Sequence, residues 1–133
     1  MKGTSDADPE QTDAIRRLND AARAIPGVTS IANVTMGFQA LPDPDRSAAL
    51  ALIARFSKFD DNNDPYGEHD FGAVFRLASG DWTQDRPEDD EAVAVTVFWK
   101  IDYYEPNLDF GSDAPWDAQR TKRVLTIMLS NEY

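Results

Sequence analysis

The chain has 133 residues, 41% hydrophobic and 11% aromatic, which is enough apolar material for one domain with its own core and too much for wholesale disorder. It contains no cysteine, which excludes disulfides, thiol nucleophiles and cysteine-ligated zinc and favours a reducing compartment. A formal net charge of −11 disfavours direct contact with nucleic acid or anionic lipid and favours basic proteins and metal cations.

Residues 1–7 read as a flexible tail without an apolar leader, and 8–133 as a single domain. Asp8-Pro9 is a helix start, an N-cap followed by proline at the first helical position. Ile15, Leu18, Ala22 and Ile25 then recur at helical spacing until Pro26-Gly27. Residues 28–38 are rich in Val, Ile and Thr and predict a strand with Val28, Val34, Met36 and Phe38 on one side. Leu41-Pro42-Asp43-Pro44 is a turn and cap, and Ala49, Leu52, Ile53 and Phe56 predict a second helix running to Phe59. A polar turn covers Asp60 to Asp70, followed by a strand over 71–78 with Phe71, Ala73, Phe75 and Leu77 on one face.

An acidic loop spans 79–91. The strand over 92–104 turns Val93, Val95, Val97, Trp99, Ile101 and Tyr103 to the core, and the two strands flanking the loop form an antiparallel hairpin. On the opposite, half-exposed face this reading places Arg76, Lys100, Asp102 and Tyr104. Residues 117–130 predict a last helix with Val124, Leu125 and Met128 buried, although Val124 to Leu129 also fits a strand. The expected fold is α+β: a small antiparallel sheet, a hairpin plus one further strand, with three helices packed on one face in the order α-β-α-β-β-α. No run approaches the ~20 apolar residues of a membrane helix, so no membrane is expected and the location is the cytoplasm.

The charge is lopsided. Residues 1–58 hold seven acids and seven bases, whereas 59–117 hold sixteen acids against Arg76, Arg86 and Lys100. Such a field points to a basic protein partner that is met by Asp81, Asp85, Glu88, Asp89, Asp90, Glu91 and Asp102, with Trp82 and Trp116 as aromatic anchors.

The densest polar stretch, Asp60 to Asp70, contains the only histidine. A catalytic reading groups His69 with Glu68, Asp70, Lys100 and Asp102, since histidine titrates near neutrality and a carboxylate can fix its tautomer. The alternative is a structural turn built from Asn and Asp side chains. Asp60, Asn62 and Asp64 stand at the first, third and fifth places of a calcium loop, but Pro65 and Phe71 occupy the positions that an EF-hand reserves for Gly and Glu. A looser calcium or magnesium site using Asp60, Asn62, Asp64 and Glu68 stays open, and no other cofactor is expected. No nucleophile elbow, Walker loop or dinucleotide fingerprint is present. Lys100 and Asp102 also fit a cross-strand ion pair on a solvated face.

Residues 61–72 (DNNDPYGEHDFG), 98–104 (FWKIDYY) and 123–129 (RVLTIML) with Glu132 and Tyr133 resemble a bacterial family, the domain of unknown function 3768. The resemblance runs from about Ile15 to the C-terminus, and the 79–91 loop departs from it by being longer and more acidic. It implies no established activity, cofactor or catalytic residue. It does imply a setting among plasmid and mobile-element genes near anti-restriction functions. The expectation is therefore a non-catalytic protein whose acidic surface binds a basic, nucleic-acid-binding partner, in one version as an anti-restriction or anti-CRISPR-like DNA mimic. The alternative is a small enzyme or metal-binding protein centred on the Asp60–Asp70 loop and His69.

Overall fold

The structure, a computed structural model, describes residues 8–133; the tail read at 1–7 lies outside the described residues. The fold is α+β, with three helices and a five-stranded, mostly antiparallel sheet. The helices are α1 (Pro9–Ala24), α2 (Met36–Gln39) and α3 (Asp43–Ala54). The strands are β1 (Ile31–Val34), β2 (Phe71–Leu77), β3 (Trp82–Thr83), β4 (Val93–Tyr104) and β5 (Lys122–Leu129), in the spatial order β1-β5-β4-β2-β3. Only β1 and β5 run parallel.

Asp8 caps α1 by accepting from the Glu10 amide at 2.9 Å, with Pro9 at the first helical position. The buried stripe of α1 is Ile15, Asn19, Ala22 and Arg23, whereas Ile25 projects into solvent. Gly27, at a φ of 89°, turns the chain out of the helix. The strand expected over 28–38 shrinks to four residues, because Thr35 caps the one-turn α2 instead, and Val28 and Met36 are exposed. The helix expected to reach Phe59 stops at Ala54, yet Phe56 and Phe59 still fold inward as edge-on neighbours of Trp99, at 5.5 and 6.1 Å.

The expected sheet of three strands has five. The acidic loop donates β3 to the edge of β2, and the helix read over 117–130 is β5. Register explains the second correction. β5 lies between β1 and β4, with Arg123, Leu125 and Ile127 on one face and Val124, Thr126 and Met128 on the other. Val124 and Met128 put apolar side chains on the second face as well, which blurs the alternation that would mark a strand.

Trp99, Val97 and Ile101 of β4 pair with Ile127, Leu125 and their neighbours and join Val74 of β2. This sheet face meets Ala22 of α1, Phe38 of α2 and Ala49, Leu52 and Ile53 of α3 in one cluster. Each large side chain fully buried there contributes about 1.5–3 kcal/mol. The opposite face carries Phe71, Phe75, Phe98, Lys100, Asp102 and Met128, and Tyr133 lies against Phe71 and Phe98 at 5.9 and 5.6 Å.

Candidate functional site

His69 sits just before β2 at a φ of 58°, a backbone region costly for a side chain with a Cβ. Its ring stacks on Phe59, with centroids 3.8 Å apart and planes 3° from parallel. Its Nδ1 lies 2.9 Å from Asp20 Oδ1 and its Nε2 lies 3.8 Å from Asp64 Oδ2. Asp20 also binds the Arg23 guanidinium, which is buried under Trp99 and Phe59 and donates to the Ile53 carbonyl at 2.9 Å. Burial lowers the Arg23 pKa, and Asp20 opposes that shift.

Beside this group a second network is centred on Asn19. Its Nδ2 donates to the Tyr103 hydroxyl at 2.8 Å and to the Glu68 carbonyl at 2.9 Å, while its Oδ1 accepts from Arg123 Nε at 2.7 Å. Tyr103 in turn donates to Glu68 Oε1 at 3.0 Å. Burial first, then the Asp70 and Glu68 carboxylates, push the Tyr103 hydroxyl far above its ordinary value. Asp70 is pushed up to about 6, by burial and then by Glu68 and Asp64. Asn19, Arg23 and Arg123 gave no functional signal in the sequence, although Asn19 and Arg23 fall at stripe spacing from Ile15.

The catalytic set drawn from the sequence does not assemble. Glu68, His69 and Asp70 lie on the helix-covered side, where Asp70 is opposite Ile101 in the ladder, whereas Lys100 and Asp102 project from the other face of β4. There they pair with each other at 3.1 Å. Arg76 was expected beside Lys100, but its partner across the ladder is Val95, and it reaches Asp45 of α3 at 3.5 Å.

The residues considered for a cation are committed to the loop. Asp60 Oδ1 accepts from the Asn62 and Asn63 amides at 2.9 and 3.1 Å, and Asp64 Oδ1 accepts from the Glu68 and His69 amides at 2.9 and 3.1 Å. Among the described residues no three His, Cys, Asp or Glu side chains are grouped to hold a metal.

The acidic loop is exposed throughout at Asp81, Asp85, Glu88, Asp89, Asp90 and Glu91. Lys58 pairs with Asp85 at 3.1 Å and Arg86 with Asp90 at 3.4 Å, and Asp89 caps the turn by accepting from the Glu91 amide at 3.0 Å. Trp82 is not a free anchor: it is half-buried and donates from Nε1 to Asp45 at 3.0 Å. Trp116 is half-buried at the opposite end, beyond β4. The carboxylates of 59–117 fall in separate places: Asp60 and Asp85 of the 79–91 loop line one groove, whereas the 105–117 segment follows the far end of β4. The length of β4, about 35 Å, separates the end of the acidic loop from the start of the 105–117 segment.

A groove of about 560 Å³ runs along the outer edge of β2. Phe71, Ala73, Phe75 and Phe98 contribute apolar surface, and Lys58 and Asp85 are among the charged residues lining it. The ladder fixes what β2 presents there. The Ile101 amide donates to the Asp70 carbonyl directly opposite it, so even-numbered residues of β2 bond to β4 and the N–H and C=O of Phe71, Ala73 and Phe75 point outward. β3 pairs with Phe75 and Arg76 only. Among the described residues no hydrogen bond reaches the outward groups of Phe71 and Ala73. This is an open sheet edge inside a groove, bordered by the acidic loop.

No helix among the described residues is long and apolar enough to cross a membrane. No curated protein and no solved structure matches the chain. Residues 34–132 match the model of the family described as "Protein of unknown function (DUF3768)". It takes in the groove, the acidic loop and β5 and leaves out α1 with Asn19, Asp20 and Arg23. The chain belongs to the DUF3768 family.

Proposed function

We propose that this protein is a non-catalytic interaction module that captures an extended, basic segment of a partner protein at the open edge of β2. The observation that carries the reading is the pair of unmatched backbone positions, Phe71 and Ala73, spaced two residues apart on the floor of an apolar groove. Donor and acceptor at this spacing are the complement of another β-strand, and strand addition supplies affinity through the main chain. Alternate side chains of the added strand would lie on Phe71, Phe75 and Phe98, and cationic ones would meet Asp60 and Asp85 on the rim, within the field of the exposed carboxylates of the 79–91 loop.

The charge steers encounter and selects a basic sequence more than it adds affinity. A partner that itself handles nucleic acid fits this chemistry. Asp60 and Asp85 at the groove, with the 105–117 carboxylates beyond the far end of β4, favour a local acidic rim over a continuous phosphate-like track.

Calorimetric titration with a synthetic peptide of alternating Val and Lys tests the reading. Binding is expected to weaken steeply with salt, to fall with the triple change Glu88→Gln, Asp89→Asn and Glu91→Gln, and to vanish in Ala73→Pro, which removes an outward donor without touching the β4 ladder. Equal affinity for a peptide of alternating Val and Glu, or unchanged binding in Ala73→Pro, overturns it.

A further inference from the structure

The opposite edge of the sheet, at β1, is built differently. The Thr35 amide donates to the Ile127 carbonyl at 3.1 Å and Val34 lies opposite Ile127, so odd-numbered residues of β1 bond to β5. The N–H and C=O of Ala32 and Val34 therefore point away from the sheet. Among the described residues only the Val34 carbonyl finds a partner, the Gln39 side-chain amide at 3.0 Å. Residues 24–42, which form and flank this edge, contain no Asp, Glu, Lys or Arg, the longest such run in the chain. The same run exposes Ile25, Val28, Ile31 and Met36, with Val28 at 70% and Met36 at 85%. A hollow of about 500 Å³ beside the start of β1 is lined by Val28, Ile31 and Lys122 among others, and by no carboxylate.

We infer that the β1 edge pairs antiparallel with β1 of a second copy of this chain, about a twofold axis at Ala32, joining two five-stranded sheets into one. Charge selects this occupant. Two molecules at −11 repel wherever their carboxylates face, so a homotypic contact is tolerated at an edge without charge, whereas a basic partner is drawn to the acidic loop at the far edge.

The hydrogen-bond pattern sets the register. Ala32 meets its own copy through both outward groups, Val34 meets Ser30 of the second copy, and Met36 of one chain comes over Val28 of the other. The two most exposed apolar side chains of the run thus cover each other, twice, by symmetry. The outward-facing edge, a liability in a monomer, becomes the centre of the sheet.

Sedimentation equilibrium of the full chain, with circular dichroism as a fold control, tests this inference. The wild type is expected to be a dimer, and Met36→Glu and Ala32→Pro to weaken association by about tenfold or more. Met36→Glu changes an exposed side chain and decides the matter should Ala32→Pro fail to fold. Because the chain has no cysteine, mixing Val28→Cys with Met36→Cys protein under oxidation should give a mixed disulfide dimer in preference to either homodimer. A wild type that stays monomeric, or a dimer that survives Met36→Glu and yields no mixed disulfide, overturns the inference. Neither outcome bears on peptide capture at β2.

Discussion

Asn19 and Arg123, 104 residues apart in the chain, meet at 2.7 Å in the interior and tie α1 to β5. Asn19 satisfies three partners at once, the Arg123 guanidinium, the Tyr103 hydroxyl and the Glu68 carbonyl. Truncation leaves a buried charge and two buried polar groups short of a partner. Asn19→Ala is expected to cost about 3 kcal/mol in urea denaturation. It should also lower the amide-exchange protection of the 60–70 loop, which α1 holds through Asn19 and Asp20.

Gly72 makes room for Trp99. A Cβ at Gly72 would stand 2.6 Å from Trp99 Nε1 and 2.9 Å from Phe56 Cε2. Trp99 is fully buried and its ring has no free space to retreat into. Gly72→Ala is expected to destabilise by about 1–3 kcal/mol and to shift the tryptophan emission. An unchanged midpoint and spectrum would show that the β2–β4 contact yields more easily than its packing implies.

These elements differ in how plainly the sequence announces them. β4 is legible because one parity is buried and the other half-exposed, so Val97, Trp99 and Ile101 stand out. β2 misleads: its bulky pair, Phe71 and Phe75, lines the helix-free face, while the core side holds Gly72 and Val74. Hydrophobic parity therefore put Arg76 on the wrong face, and only the register with β4 corrects it. β5 hides its alternation because Val124 and Met128 place apolar side chains on its second face too. The polar knot around Asn19 is invisible in composition because its partners come from α1, the 60–70 loop, β4 and β5. The groove is equally hidden, since an open edge is a property of neighbours that a strand lacks.

Asp70 gives stability a pH dependence of defined sign. Its carboxyl is pushed up to about 6 in the folded chain, against an ordinary value of 3.8. Between those values the folded state holds the proton more firmly than the unfolded state, so stability falls as pH rises from about 4 to about 6 and then levels. Asp70→Asn removes that slope and is expected to raise stability at neutral pH by about 1 kcal/mol, discounted for partial exposure. The difference in midpoint between wild type and variant across pH isolates the effect.

Glu132 acts with the opposite sign. Its carboxylate accepts from the Thr35 hydroxyl at 2.5 Å, the Leu129 amide at 2.8 Å and the Gly37 amide at 2.9 Å. These bonds, that from Thr35 first, hold its pKa below the usual carboxylate value. Its contribution is present above the unfolded value and is lost as pH falls through the folded one. Glu132→Gln is expected to loosen the C-terminal turn and free Tyr133 from Phe71 and Phe98, read as faster amide exchange at Gly37 and Leu129. Unchanged exchange at both amides would deny the carboxylate this role.

The most direct test of capture at β2 is residue-resolved amide exchange of the wild-type chain, with and without the alternating Val and Lys peptide. Capture by strand addition predicts strong new protection of the Phe71 and Ala73 amides, little change at Ala32, and loss of the effect at high salt. Binding that leaves those two amides exchanging freely, or that protects only the acidic loop, would contradict it.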